Sequence, residues 1–325
     1  MSIQAGIIGC GEIAEEHLRA IKEVEGLSVA AYCDLDVARA ERLLHGYGGN
    51  YATDNVEVML RDDAIDALYI CTHHDSHTPF AIQACEAGKH IMMEKPLALT
   101  MPECLQIAEA VEQSGVTMMT AFKFRYYPMV RRAREFMPNP LLLIAQLTDR
   151  RWPDDFWAQH PVKGGGNVLS QGVHAMDLLC YFAGSEPERI QAEGGAITHP
   201  GSKVVDAAVV TIRFRNGVIA SLAQADAGET PHLGKFSYQM LDGSRSVHLH
   251  DRLKRGEFFD GENLETIQDE RELGMVEENR EFVRALRSET EPETTVWDGV
   301  RAAAMTFGVV QAIKTGKAIS LINLV

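Results

Sequence analysis

No stretch of about 18 consecutive apolar residues occurs in the chain, so a membrane-spanning helix is not expected. The six cysteines (Cys10, Cys33, Cys71, Cys85, Cys104 and Cys180) show no paired spacing. That argues against a disulfide framework or a clipped metal site and for reduced, mostly buried thiols. A basic excess is missing too: 31 Lys and Arg stand against 46 Asp and Glu, a net charge of −15. A nucleic-acid partner wants a basic face, so none is expected. The opening residues, MSIQAGIIGCGEIAEE, contain no basic segment before an apolar one. No signal peptide is read there, and a cytoplasmic location is expected. Internal repeats and low-complexity segments are absent as well. What remains is a chain of 325 residues, 46% hydrophobic and 24% charged, long enough for two domains.

Over the first 121 residues, short apolar runs alternate with helical patterns. IQAGIIG, LSVAAYCD, IDALYICT, HIMMEK and VTMMTA read as strands. Helices are expected over residues 12–25, 37–45, 79–86 and 101–114. The last is opened by Thr100-Met-Pro-Glu103, a capping box with proline in the first turn. Apolar strands separated by helices predict a parallel, doubly wound sheet. After Phe122 the pattern changes. A helix over 128–137 is followed by LLLIAQLTD, a polar loop with two tryptophans, a helix carrying His174, and a strand-rich stretch from about 188 to 260. Asn216-Gly217 within that stretch is a strong hairpin signal. Helices over 276–287 and 297–315 close the chain. The expected organisation is an α/β domain over 1–121 and an α+β domain with a largely antiparallel open sheet over 122–325. The helix at about 297–315 could pack back on the first domain.

Gly9-x-Gly11-x-x-Ala14 lies between the first strand and the first helix. Gly9 permits a tight turn, Gly11 admits a pyrophosphate close to the backbone, and Ala14 permits close helix–strand packing at a helix N-terminus that favours an anion. The candidate cofactor contacts here are Gly9, Cys10, Gly11, Glu12 and Ile13. Asp34 ends the second strand, 23 residues beyond Gly11. A carboxylate there accepts from the adenosine ribose and repels a 2′-phosphate, favouring NAD and leaving NADP open, since Arg39 and Arg42 follow on the next helix. Glu94, Lys95 and Pro96 leave another strand at its carboxyl end, where ligands bind in such sheets. Lys95 could polarise an oxygen there or simply lead the strand into solvent. Ser170, His174 and Asp177 stand at relative positions 0, 4 and 7 and would share one face of a helix. His174 is either a proton handler or a core histidine.

These motifs in this order, Gly9-x-Gly11-x-x-Ala14, Glu94-Lys95-Pro96, and Gly164-Gly165-Gly166 leading to Gly172-Val173-His174 and Asp177, resemble the Gfo/Idh/MocA oxidoreductase family. The resemblance runs through nearly the whole chain. It implies an N-terminal Rossmann domain, a second domain whose open sheet often makes dimer or tetramer contacts, and a peptide before Pro96 that is often cis. It also implies that Lys95 and His174 face the nicotinamide, His174 taking a hydroxyl proton while Lys95 stabilises the oxygen. Many members carry a carboxylate where this chain has Ser170, which can hydrogen-bond but brings no charge. Thr72, His73, His74 and His77 fall on a stretch beside the cofactor, and His73 and His74 replace the proline and asparagine usual there. That cluster, with Glu94 and Lys95, is read as cofactor contact, with no metal expected. Asp177, Ser170, Arg125, Trp152 and Trp157 are the candidate substrate contacts, suiting a sugar, polyol or sugar acid. The implied activity is hydride transfer between a nicotinamide and a hydroxyl or keto group of an inositol-like or sugar substrate. An NAD-dependent glycoside hydrolase using transient oxidation, and a non-enzymatic dinucleotide-binding regulator, are the alternatives.

Overall fold

The computed structural model describes residues 2–228, 234–271 and 274–322. Two compact units divide the chain: Met1–Lys123 with Gly274–Val300, and Phe124–Leu273 with Arg301–Val325.

The first unit opens with β1 (Ile3–Ile8), α1 (Glu12–Ile21), β2 (Leu27–Cys33), α2 (Val37–Tyr47), β3 (Tyr51–Thr53), α3 (Val56–Leu60), β4 (Ala67–Ile70), α4 (His77–Glu86), β5 (His90–Met93), α5 (Met101–Ser114) and β6 (Met118–Thr120). The strands form one parallel sheet in the order β3-β2-β1-β4-β5-β6. β4 has no exposed residue, as a strand covered on both faces requires. Thr100 caps α5 by accepting from the Glu103 amide at 3.4 Å and donating its hydroxyl to the Glu103 carboxylate at 2.7 Å. β3 and α3, of three and five residues, are too short to stand out in the sequence pattern. The register sets Ile8 beside Cys33 and Ile70, and Ile70 beside Met93. Gly9, Asp34, Cys71 and Glu94, which follow those four residues, therefore leave the sheet at one edge. That edge straddles β1 and β4, where the strand order reverses and ligands bind in such sheets.

The second unit begins with α6 (Pro128–Phe136) and β7 (Leu142–Thr148), followed by α7 (Asn167–Ser170) and α8 (Gly172–Ala183). Then come β8 (Pro187–Gly195), β9 (Ala207–Phe214), β10 (Ile219–Ala225), β11 (Phe236–Leu241), β12 (Ser246–His250), β13 (Arg255–Phe259) and β14 (Leu264–Gln268). Asn216 and Gly217 turn β9 into β10, with Gly217 at φ 94° and the Asn216 side chain accepting from the Val218 amide at 3.2 Å. The strands alternate buried and open residues, for example in β9 and β12, because helices cover only one face. The sheet is mixed: β7 and β10 run parallel, while the other pairs are antiparallel.

Two helices and a short strand close the described chain: α9 (Gly274–Ser288), α10 (Val296–Thr315) and β15 (Ile319–Ser320). The sequence pattern assigns residues 122–325 to a second domain, with the helix at about 297–315 as the part that could pack back; α9 and the first turn of α10 belong to the first unit. The cause is α9's apolar stripe. Phe282 is fully buried and meets the edge of Tyr69 at 5.8 Å, a burial that contributes about 1.5–3 kcal/mol. β15 pairs with β8 in the second sheet. α10 thus starts in one unit and ends in the other.

Candidate active site

At the β1–α1 turn, Gly9 has φ 86°, and a Cβ added there would lie 2.7 Å from the Cys71 carbonyl oxygen. Only glycine fits. A Cβ on Gly11 would meet nothing within 4 Å, so that approach to the loop is open. Gly11 is also the N-cap of α1 and supplies no side-chain cap, leaving first-turn amides available to an anion. Ala14 is fully buried. The Asp34 carboxylate accepts from the Cys10 amide at 2.8 Å and from the Asp36 amide at 2.9 Å. It is held against the loop and keeps lone pairs to spare. Arg39 pairs with Asp36 at 3.5 Å and Arg42 with Glu15. Both arginines that could have received a 2′-phosphate thus have carboxylate partners. Leu35, the next residue, is 96% exposed; nothing in the sequence marked it. Glu12 and Ile13 begin α1 beside this loop.

Thr72, His73, His74 and His77 follow the end of β4. His77 is fully buried, its Nδ1 2.8 Å from the Pro96 carbonyl and its Nε2 3.2 Å from the Thr72 carbonyl. Burial lowers its pKa below the ordinary histidine value. The ring braces the β4-end loop to the β5-end loop. His74 is buried against it with ring centres 5.6 Å apart, and His73 is exposed.

The Lys95–Pro96 peptide is cis, as the family resemblance implies. Glu94 beside it is 6% exposed, and its two oxygens accept from the Lys95 amide at 3.1 Å and from His17 Nε2 at 3.2 Å. Burial alone would raise the Glu94 pKa. The His17 hydrogen bond and the charges of Lys95 and Lys123 outweigh it and hold the carboxyl at about 2. His17 is itself oriented. Asn279 Nδ2 donates to its Nδ1 at 3.4 Å, and Tyr69 donates to Asn279 Oδ1 at 2.6 Å. An Asn279 amide facing Nδ1 leaves the proton on Nε2, pointed at Glu94. In the sequence, His17 falls within the helix expected over 12–25, and nothing local marks it as a site residue. The available signal was that a buried imidazole needs polar partners.

In the second unit, the helix expected to carry Ser170, His174 and Asp177 on one face is interrupted. α7 ends at Ser170, and α8 begins after Gln171, whose φ is −107°. His174 and Asp177 share α8; Ser170 belongs to the preceding turn. All three are buried, at 3–4% exposure for Ser170 and His174 and 1% for Asp177. His174 meets the edge of Phe124 at 4.8 Å. Asp177 and Arg125, read separately as substrate contacts, are brought together: Arg125 Nε donates to the two carboxylate oxygens at 3.0 and 2.9 Å. The glycines leading here have packing causes. A Cβ on Gly164 would come within 2.2 Å of Ala158 Cα, one on Gly166 within 2.7 Å of Val204, and one on Gly172 within 2.5 Å of the Gln224 amide oxygen.

Of the two tryptophans, Trp157 is half-buried, while Trp152 is 7% exposed and donates its amide to Asp226 at 3.3 Å. Asp226 anchors a cluster that the sequence did not reveal. His199 Nε2 lies 2.7 Å from Asp226 and its Nδ1 2.8 Å from Asp154. This group borders a cavity of about 340 Å³ lined by Arg151, Asp154, Gln159, His199, Pro200 and Ser202. All six cysteines are free and buried. Burial foremost pushes Cys10 and Cys104 up to about 12, so neither is a ready nucleophile.

Residues 3–122 match the family model described as the Gfo/Idh/MocA oxidoreductase family with an NAD-binding Rossmann fold, and residues 140–233 match the C-terminal domain of that family. The chain is 27% identical to the uncharacterized oxidoreductase YrbE of Bacillus subtilis over 98% of its own length and 96% of that protein's. It is 23% identical to the myo-inositol 2-dehydrogenase of Thermotoga maritima, over 98% of each chain. Among solved structures, a levoglucosan dehydrogenase in complex with NADH superposes with a TM-score of 0.91 at 20% identity, covering 98% of this chain and 99% of that one.

Proposed function

The chain belongs to the Gfo/Idh/MocA oxidoreductase family, and from that premise we propose that it transfers a hydride between NAD and a hydroxyl or keto carbon of a sugar or polyol. It is an NAD(P)-dependent oxidoreductase. The sugar or polyol substrate is supported by the relatives, which include an inositol dehydrogenase and, in fold, a levoglucosan dehydrogenase. The observation that carries the reading is the register that delivers the Gly9–Gly11 loop, Asp34 and the Glu94–Lys95 pair to one edge of one sheet.

The N-terminus of α1 and the open side of Gly11 bind a pyrophosphate, with Cys10, Glu12 and Ile13 lining the turn. Asp34 accepts from ribose hydroxyls and repels a 2′-phosphate, and exposed Leu35 covers the adenine. The Thr72–His74 backbone borders the cofactor, braced by His77. Bound NAD supplies the hydride acceptor. Lys95 stabilises the substrate oxygen as charge develops, held in place by an ionised Glu94 that acts through position. His174 accepts the hydroxyl proton, and Ser170 hydrogen-bonds the substrate or the imidazole. Asp177 holds Arg125, and this buried pair braces the turn of α8 that follows His174. Trp157 offers a ring face to sugar C–H groups, and Trp152 fixes the loop that carries it. The helix-free sheet face, with Ile144, Val209 and Ile219 at 39%, 62% and 47% exposure, is the surface for homo-oligomer contacts.

The test is a panel of polyols and aldoses with added NAD, read by NADH absorbance, using wild type, Lys95→Ala and His174→Ala. Wild type should turn over at least one member. Each variant should lose roughly 100-fold or more in kcat while NADH binding, read by fluorescence, survives. Glycoside cleavage without added NAD, or NADH binding with no turnover anywhere, would overturn the reading.

A further inference from the structure

Outside the cofactor edge, β12 and β13 gather three side chains that suit a transition-metal ion. His248 and His250 are two residues apart on β12, and Glu257 lies opposite His248 on β13. Strand alternation puts all three on one face, while Val247, Leu249 and Phe258 are buried on the other, where Phe136 of α6 meets Phe258 at 5.5 Å. Glu257 Oε2 is 3.6 Å from His248 Nδ1, and Glu257 Oε1 is 3.6 Å from His250 Nε2. The possible ligand atoms of all three residues lie within 4.8 Å of one another.

We propose that His248, His250 and Glu257 form a zinc-class metal site on the helix-free face of the second sheet, with the fourth position open to water. Tetrahedral coordination at about 2.0–2.1 Å places neighbouring ligand atoms about 3.4 Å apart, close to the two separations present. Two imidazoles and one carboxylate select Zn²⁺ or Co²⁺ over Mg²⁺ or Ca²⁺, which take oxygen ligands. Both imidazoles are prepared for the ion. Ser237 Oγ lies 3.2 Å from His248 Nε2; accepting from it, the hydroxyl leaves Nδ1 with its lone pair facing Glu257. His250 Nε2 is buried and beyond hydrogen-bond length of Glu257. The rings stack with centres 4.6 Å apart at 24°, so their nitrogens converge from adjacent planes. The competing charge is Arg255, whose guanidinium is 3.7 Å from Glu257; it is 43% exposed and has solvent to swing into.

The experiment titrates tag-free full-length protein with CoCl₂, then displaces the cobalt with ZnSO₄ in competition with a chromophoric chelator. The expected result is one ion per chain and the visible absorption of four-coordinate cobalt. His250→Ala and Glu257→Gln should each weaken zinc binding at least roughly tenfold, since losing even an outer partner of a metal ligand costs that much. Ser237→Ala should weaken it less. Circular dichroism verifies that the variants are folded, and His248→Gln serves if His250→Ala is not. No cobalt band in the wild type, or binding unchanged in the folded variants, would overturn the site.

Discussion

Replacing His17 with leucine removes the hydrogen-bond donor from a carboxylate that is almost fully buried. The Glu94 carboxyl lies at about 2 against an ordinary 4.5, which corresponds to about 3 kcal/mol of preference for the ionised form. Because this pKa is depressed on folding, the stabilisation is present above pH 4.5 and is lost as pH falls toward 2. His17 is the foremost of the influences opposing burial, and without it Glu94 must ionise in an apolar site or take up a proton. His17→Leu should therefore cost about 2–4 kcal/mol at neutral pH, which lowers the melting temperature by roughly 5–15 °C for a unit of this size. His17→Leu with Glu94→Met removes both polar partners and should recover more than half of the loss. Calorimetry of wild type, both single variants and the double variant closes the cycle. The acid limb should flatten in Glu94→Met and in the double variant, which lack the titrating carboxyl. A His17→Leu melting point within a degree of wild type, or a double variant as unstable as the sum of the singles, would refute the reasoning.

Gly9→Ala drives a Cβ toward the Cys71 carbonyl at a φ that alanine resists; it should destabilise by about 2–4 kcal/mol and abolish NADH binding in a fluorescence titration. Asp34→Ala removes the acceptor for the ribose hydroxyls and frees the Cys10 amide. The ratio of kcat/KM with NAD to that with NADP should fall at least roughly tenfold, about 1.4 kcal/mol, and an unchanged ratio would show that the ribose is read elsewhere. Burial alone would lower the His199 pKa, but hydrogen bonds to Asp226 and Asp154 raise it overall. Its contribution is therefore full below about pH 6.5 and is lost as pH rises through the folded value. His199→Gln should remove that alkaline loss, as read by melting temperature between pH 6 and 9.

What the sequence revealed and what it hid follow from one distinction. The β1–α1 turn, the capped start of α5 and the Asn216–Gly217 hairpin are each determined by neighbours in sequence, and each is where local pattern puts it. α9 was legible as an amphipathic helix, but a stripe of apolar residues does not name its partner, so its place beside Tyr69 was not. The same holds in the candidate site. Glu94 and Lys95 are readable as a strand end; His17 and Asn279, 77 and 185 residues away from Glu94 in the chain, are joined to it only by folding. Periodicity placed Ser170, His174 and Asp177 on one helix, and the break at Gln171 escaped it because every residue there tolerates helical geometry. Arg125 and Asp177 were two separate candidates until a 52-residue separation closed into one ion pair.

The first unit is assembled from two visits of the chain, with Phe124–Leu273 made in between. During synthesis the cofactor edge therefore emerges early yet waits for α9, whose Phe282 covers Tyr69 and whose Asn279 orients His17. A ribosome stalled before residue 274 would hold a nascent sheet with that surface bare, a natural target for chaperones. Engineers who wish to transplant the cofactor-binding half must carry residues 274–300 along, joined by a linker, because a cut at Lys123 leaves the module unfinished.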